Sequence, residues 1–183
     1  MRAPNVAVAT DSHVIKLCHQ ILPGGQPLLI PSSPLPGAPE KECFEIVASH
    51  VEQHGGEAVC GWAIWEVRGV YVEAEYHCVW MNPDGELRCL TPFPLVFDSI
   101  LFLPDPTRPY QGRQVDNVRE ALVKDVDVYR LLYLNKRRFE ITNKGGLADQ
   151  HGEIRLPPKA AKEYWKVEDE LLKLMSRLAR RYP

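Results

Sequence analysis

Val70-Tyr71-Val72-Glu73-Ala74-Glu75-Tyr76-His77-Cys78-Val79-Trp80 follows closely on Val59-Cys60-Gly61-Trp62-Ala63-Ile64-Trp65, and both runs are rich in β-branched and aromatic residues. That composition suits a pleated, half-buried surface, so both read as strands. Asn82-Pro83-Asp84-Gly85 is a strong turn sequence, and Glu86 to Leu90 then reads as the returning strand of a hairpin. Upstream, Pro39 and the acidic residues Glu40 and Glu42 suit a helix start, and Gly55-Gly56 suits its stop. The spacing therefore predicts a helix over 40–54 with Cys43 in its first turn, burying Phe44, Val47 and Val51. The expected fold class is α+β: a helix bearing a cysteine packed on an antiparallel β-meander, with flanking C-terminal helices.

Further out, Asp11 to Leu22 reads as a short helix. Gly24-Gly25 and five prolines (Pro27, Pro31, Pro34, Pro36, Pro39) then preclude regular helix and favour an extended arm on the core. Beyond Pro104-Asp105-Pro106 the chain reads as mostly helical. One stripe comprises Val115, Val118, Leu122, Val126, Tyr129 and Tyr133; a second, over 158–181, comprises Tyr164, Val167, Leu171, Leu174 and Leu178. From Lys159 to Arg181 seven Lys or Arg face four acidic residues, which suits a solvated face or, more sharply, docking of an anionic partner. With 183 residues and no internal repeat, we expect one domain over 1–183: an N-terminal helix and Pro-rich arm (1–39), a core (40–105) and a mostly helical part (106–183).

A net charge of −2 with mixed signs offers no field for nucleic acid or an anionic membrane, so neither is an expected partner. Met1 to Thr10 lacks the long apolar run of a signal peptide, and no stretch approaches the ~18 apolar residues that span a bilayer. The expected location is cytoplasmic. Five cysteines (Cys18, Cys43, Cys60, Cys78, Cys89), odd in number and without CxxC, argue against a disulfide framework or a zinc ribbon; most should be core.

Cys43 carries the chemical interest. A thiol at a helix N-terminus lies near partial positive charge and unpaired N–H groups, which favour the thiolate. A histidine from a strand can take its proton while a third polar residue fixes the imidazole. The order of helix-borne Cys43, Gly-rich stop, strand, His77-Cys78-Val79-Trp80, a Gly85 turn and Cys89-Leu90-Thr91-Pro92 resembles the transglutaminase-like core of the papain-related thiol enzymes, over about 65 residues. The resemblance implies Cys43 as nucleophile and His77 as base. It puts Cys89 where the family carries an Asp, and loss of that charge costs on the order of 10⁴ in turnover in the serine-triad template. Glu75, two residues before His77 on the same strand face, is the candidate substitute, with Glu73 beside it; the pair suits a solvent-facing strand equally well.

The expected function is a cysteine-dependent hydrolase or acyl-transferase acting on an amide or thioester, protein-borne substrates included, through a Cys43 acyl-enzyme with no cofactor. Gln20 and Gln26 lie upstream, where papain-like enzymes place a glutamine. Two alternatives stand beside it: a catalytically inactive relative that binds through its arm and C-terminal helices, and a zinc-binding protein using Cys43, His77 and Cys89. A Cys43–Cys89 disulfide is a related option. His50 and His54 read as exposed residues favourable to a helix C-terminus. Trp62, Trp65 and Trp80 are expected to form one aromatic cluster, and Gly24-Gly25 and Gly145-Gly146 lack phosphate-loop spacing.

Overall fold

The structure, a computed structural model, describes residues 3–150 and 154–183. Met1 and Arg2, within the stretch read above for a leader, lie outside the described residues. In chain order the elements are β1 (Asn5–Val6), α1 (Ser12–Ile21), β2 (Leu28–Pro31), α2 (Cys43–His54), β3 (Glu57–Val67), β4 (Tyr71–Met81), β5 (Leu87–Arg88), β6 (Ser99–Pro104), β7 (Val118–Ala121), α3 (Val126–Thr142) and α4 (Pro158–Arg181), with a 3-10 turn at Gly145–Asp149. The protein is α+β. Its sheet has the order β2-β6-β3-β4-β5, with β1 beside β3 and β7 beside β4, and the pairs β2/β6, β3/β6 and β4/β5 are antiparallel. Among the described residues no helix is long and apolar enough to cross a membrane.

The chain forms two compact units, and the division falls within the β3–β4 hairpin. One unit holds Val6–Trp65 and Ala74–Tyr110. Strand alternation places two clusters of its core on opposite faces of the sheet. Ala63, Trp65 and Val79 pack with Ile30, Cys89, Ile100 and Phe102, while Cys78 packs with Cys43 and Val47 of α2, flanked by Phe44, Val51, Cys60 and Trp80. The Pro-rich arm does more than lie on this core, because Leu28–Pro31 hydrogen-bonds β6 as a strand, Ile30 opposite Ile100. Pro31 ends that strand, where a missing N–H is tolerated. The segment after the hairpin turn is shorter than expected, since only Leu87–Arg88 pairs with β4. Gly61 allows β3 and β6 to approach: a Cβ there would lie 2.3 Å from the Leu103 carbonyl oxygen. Gly56, at φ +85, would bring one to 2.2 Å from the Met81 carbonyl oxygen, so the α2–β3 link tolerates only glycine.

The other unit comprises Glu66–Glu73, Gln111–Pro183 and the residues up to Asn5. Val67, Val70 and Tyr71 pack with Val128, Leu131, Leu134 and Ile141 of α3 and Val167, Leu171, Leu174 and Leu178 of α4. The α4 stripe read from sequence is buried as expected. The stripe over 115–133 is not one helix face. Val118–Ala121 forms β7, and α3 begins only at Val126, where Asp125 caps it by accepting from the Asp127 N–H at 2.8 Å. Val126, Tyr129 and Tyr133 are exposed, and Val128, Leu131 and Leu134 face the core instead. Glu73 accepts from Asn117 and Arg119, both at 2.7 Å, and so fixes β7 to the start of β4.

Candidate functional site

α2 begins at Cys43, so the thiol occupies the first helical position, and no side chain caps the helix there. Its sulfur lies against the backbone N–H of Cys78, the residue after His77. His77 is 3 % exposed on β4, and its Nε2 lies 3.2 Å from the Cys89 Sγ. Cys89, just past β5, directs its thiol at the Thr91 carbonyl, 3.9 Å away. The Thr91 hydroxyl is buried with no hydrogen-bond partner among the described residues. Glu75 accepts from the Trp65 indole at 2.9 Å, and its charge acts on both Cys43 and Cys89. Of the four residues singled out from sequence, Glu75, His77 and Cys89 lie on one side of the sheet with Trp65 and Phe93, whereas Cys43 packs with Cys78 on the other, so the expected nucleophile and base are not brought together. The imidazole contacts the third residue, and among the described residues no hydrogen bond joins it to Cys43.

Burial sets the protonation states here. It pushes the Cys43 thiol up to about 12; the Cys78 N–H works against that rise, while Glu75, Cys89 and Glu45 add to it. Burial likewise raises Cys89 to about 11 and lowers His77 to about 4. At neutral pH the imidazole and both thiols are uncharged. Cys43, only 5 % exposed, lies in an apolar cluster, not an electropositive one. Among the described residues the ligand atoms of Cys43, His77 and Cys89 do not gather within 4.8 Å of one another, so these side chains as placed are not a zinc set.

A thiol that the sequence did not single out behaves differently. β3 ends at Val67 and β4 begins at Tyr71; counting back from the turn sets Trp62 opposite Tyr76, whose rings meet at 5.2 Å, and Cys60 opposite Cys78. The two thiols interact, which lowers Cys60 and raises Cys78. The Tyr110 backbone N–H points at the Cys60 sulfur. Tyr76 also approaches it, but its one hydroxyl proton goes to the Arg108 carbonyl. Cys60 is only half-buried, unlike the other four cysteines. Period-two spacing across the hairpin was the signal that could have found this pair.

The remaining candidates are simpler. His50 and His54 stack at 4.1 Å near the end of α2, with Trp80 edge-on to His50. Trp62, Trp65 and Trp80 do not form one cluster: Trp62 meets Tyr76, Trp65 meets Phe93 and Phe97, and Trp80 reaches the Gly55 carbonyl. An odd spacing separates Trp62 from Trp65 on a strand, which sends them to opposite faces.

On α4 a second apolar stripe lies beside the buried one: Trp165, Leu172 and Met175, the first two 66 % and 62 % exposed. Leu172, Lys173, Ser176, Arg177 and Arg180 line an open groove along it. The acidic residues Glu163, Glu168 and Glu170 pair with Arg137, Arg138 and Arg130 of α3, and Arg177 and Arg181 pair with Asp127 and Asp125. Lys162, Lys173 and Arg180 enter no ion pair among the described residues, so the outer side of α4 is basic, with Asp169 its one acid. No protein family matches the chain, and neither a curated protein nor a solved structure is detectably similar to it.

Proposed function

We propose that the protein is a non-catalytic relative of the transglutaminase-like thiol fold and serves as a binding module, docking an acidic amphipathic helix of a partner protein on α4. The observation that carries this reading is the exposed stripe of Trp165, Leu172 and Met175 beside the unpaired cations Lys162, Lys173 and Arg180. Spacings of seven and three residues set these apolar side chains along one line of the helix, as helix-in-groove recognition needs. A tryptophan anchor with a basic rim fits the composition of binding hot spots. The same cations oppose a second copy on this face, because like charges would meet.

The hydrolase reading is weaker on magnitudes. A thiol held at about 12 is ionised in only about one molecule in 10⁵ at neutral pH. Cys89 supplies no charge to stabilise an imidazolium, and Cys43 is closed off by Phe44, Val47 and Trp80.

The test is fluorescence polarisation with a labelled, helical Leu/Glu peptide, a Leu/Lys peptide of the same apolar pattern, and anionic vesicles. We expect the acidic peptide alone to bind, Trp165→Ala with Leu172→Ala to weaken it at least tenfold, and Cys43→Ala to leave it unchanged. Equal binding of both peptides, preference for vesicles, or loss on Cys43→Ala would overturn the proposal.

A further inference from the structure

The fold presents one pair of thiols suited to reversible chemistry, and it is not the pair suggested by the resemblance. Cys60 and Cys78 sit directly opposite each other on adjacent antiparallel strands, and their side chains pack together beside α2. Directly opposed residues in such a ladder have Cα atoms about 4.5 or 5.5 Å apart, both within the roughly 4.4–6.8 Å span that a disulfide bridges. Cys60 is the half-buried member, so a small oxidant reaches it, while Cys78 is held behind it among Cys43 and Val47. The neighbouring Cys78 thiol and the Tyr110 N–H lower Cys60 against the rise that burial brings, which favours its thiolate. The other thiols lack this combination. Cys18 and Cys43 are buried and raised, Cys18 to about 11, and Cys89 is buried against His77.

We propose that Cys60 and Cys78 form a peroxide-sensitive dithiol. The Cys60 thiolate attacks a hydroperoxide oxygen and breaks the O–O bond. Cys60 becomes a sulfenic acid, and the alkoxide or hydroxide takes up a proton and leaves as alcohol or water. The Cys78 thiol then attacks the Cys60 sulfur, its proton leaving with the hydroxyl as a second molecule of water. The products are a cross-strand disulfide, the reduced peroxide and water; two thiols have lost two electrons and the peroxide has gained them. A dithiol reductant reverses the step. Cys60 is thus the sensing thiol and Cys78 the resolving one. The chemistry stands apart from the α4 face, so either can fail without the other.

Substoichiometric hydrogen peroxide on the native full chain, followed by alkylation and peptide mapping, tests this. The expected first product is a Cys60–Cys78 linked peptide pair two hydrogens lighter than the reduced pair, restored by dithiothreitol. In the Cys78→Ser variant oxidation should stop at Cys60 and be trapped there by dimedone. Without peroxide, iodoacetamide at neutral pH should label Cys60 at least about tenfold faster than Cys43. First oxidation at Cys18, Cys43 or Cys89, a Cys43–Cys60 link, or a Cys60 no more reactive than a free thiol in a peptide overturns the inference. The wild-type map decides the question even if the serine variant fails to fold.

Discussion

The α3–α4 helix pair and the thiol-bearing hairpin handle ionisable residues in opposite ways. On the helices, Arg130, Arg137 and Arg138 meet Glu170, Glu163 and Glu168 at a half-exposed seam that water reaches. Around β4, His77, Cys43, Cys78 and Cys89 are taken out of water and stay neutral. The contrast teaches that charge-bearing residues matter least where they are most numerous. Exposed pairs contribute little because water competes for them, whereas a buried titratable group makes folding depend on its protonation.

Three changes probe that contrast. The largest effect should come from the apolar floor of the strand unit: Phe102→Ala, at a fully buried position opposite Leu28 and Ala63, should cost about 3–5 kcal/mol in chemical denaturation. A loss below about 1 kcal/mol would mean that the cluster is not the core it is described to be.

His77 comes next. Folded, it is held at about 4, against about 6.5 for a solvated imidazole. Between those values the unfolded chain binds a proton that the folded chain does not. The stability tied to neutral His77 is therefore complete above about pH 6.5 and is lost as pH falls toward 4, a difference of roughly 3 kcal/mol. Comparing urea midpoints at about pH 7.5 and pH 4.5 in wild type and His77→Gln should show a markedly flatter pH dependence in the variant. Equal slopes would put His77 in water.

The smallest effect belongs to the helix seam. Glu163→Gln, removing the partner of Arg137, should cost well under about 1 kcal/mol at moderate salt. A larger loss would show that the seam carries more of the stability than its exposure suggests.

Much of the architecture was legible because local chemistry and tertiary packing agree. α2 stops before Gly55-Gly56 as read, although it starts at Cys43 and not at Glu40, β3 and β4 follow their β-branched and aromatic runs, and α4 buries the stripe read from its spacing. Reading failed where the signal was shared between periods. Val115 to Tyr133 satisfies a helical spacing by coincidence across a strand and a helix, which shifted the expected buried face of α3 to its exposed side. The arm at Leu28–Pro31 was hidden because its strand character depends on β6, a partner about 70 residues away. In the candidate site, the closeness of His77, Cys89 and Glu75 was legible from their strand spacing, whereas Cys43 packs with Cys78 on the opposite side of the sheet. Their protonation was not legible, since the burial of Cys43 needs Cys78 and Trp80 of β4 packed on α2, and that of Cys89 needs Ile30, Ile100 and Phe102. Cys60 was passed over because a lone cysteine in an apolar strand looks like core until the residue across the hairpin is named.

Asp125 has one further consequence. It caps the first turn of α3, and its other oxygen receives Arg181 and Tyr182 from the end of α4, contacts that hold its carboxyl at about 2. One carboxylate thus closes the opening turn of one helix and the closing turn of the next. Those two ends, more than 50 residues apart in the chain, should fray as a single event, their amides exchanging with solvent in step while the middles of both helices stay protected.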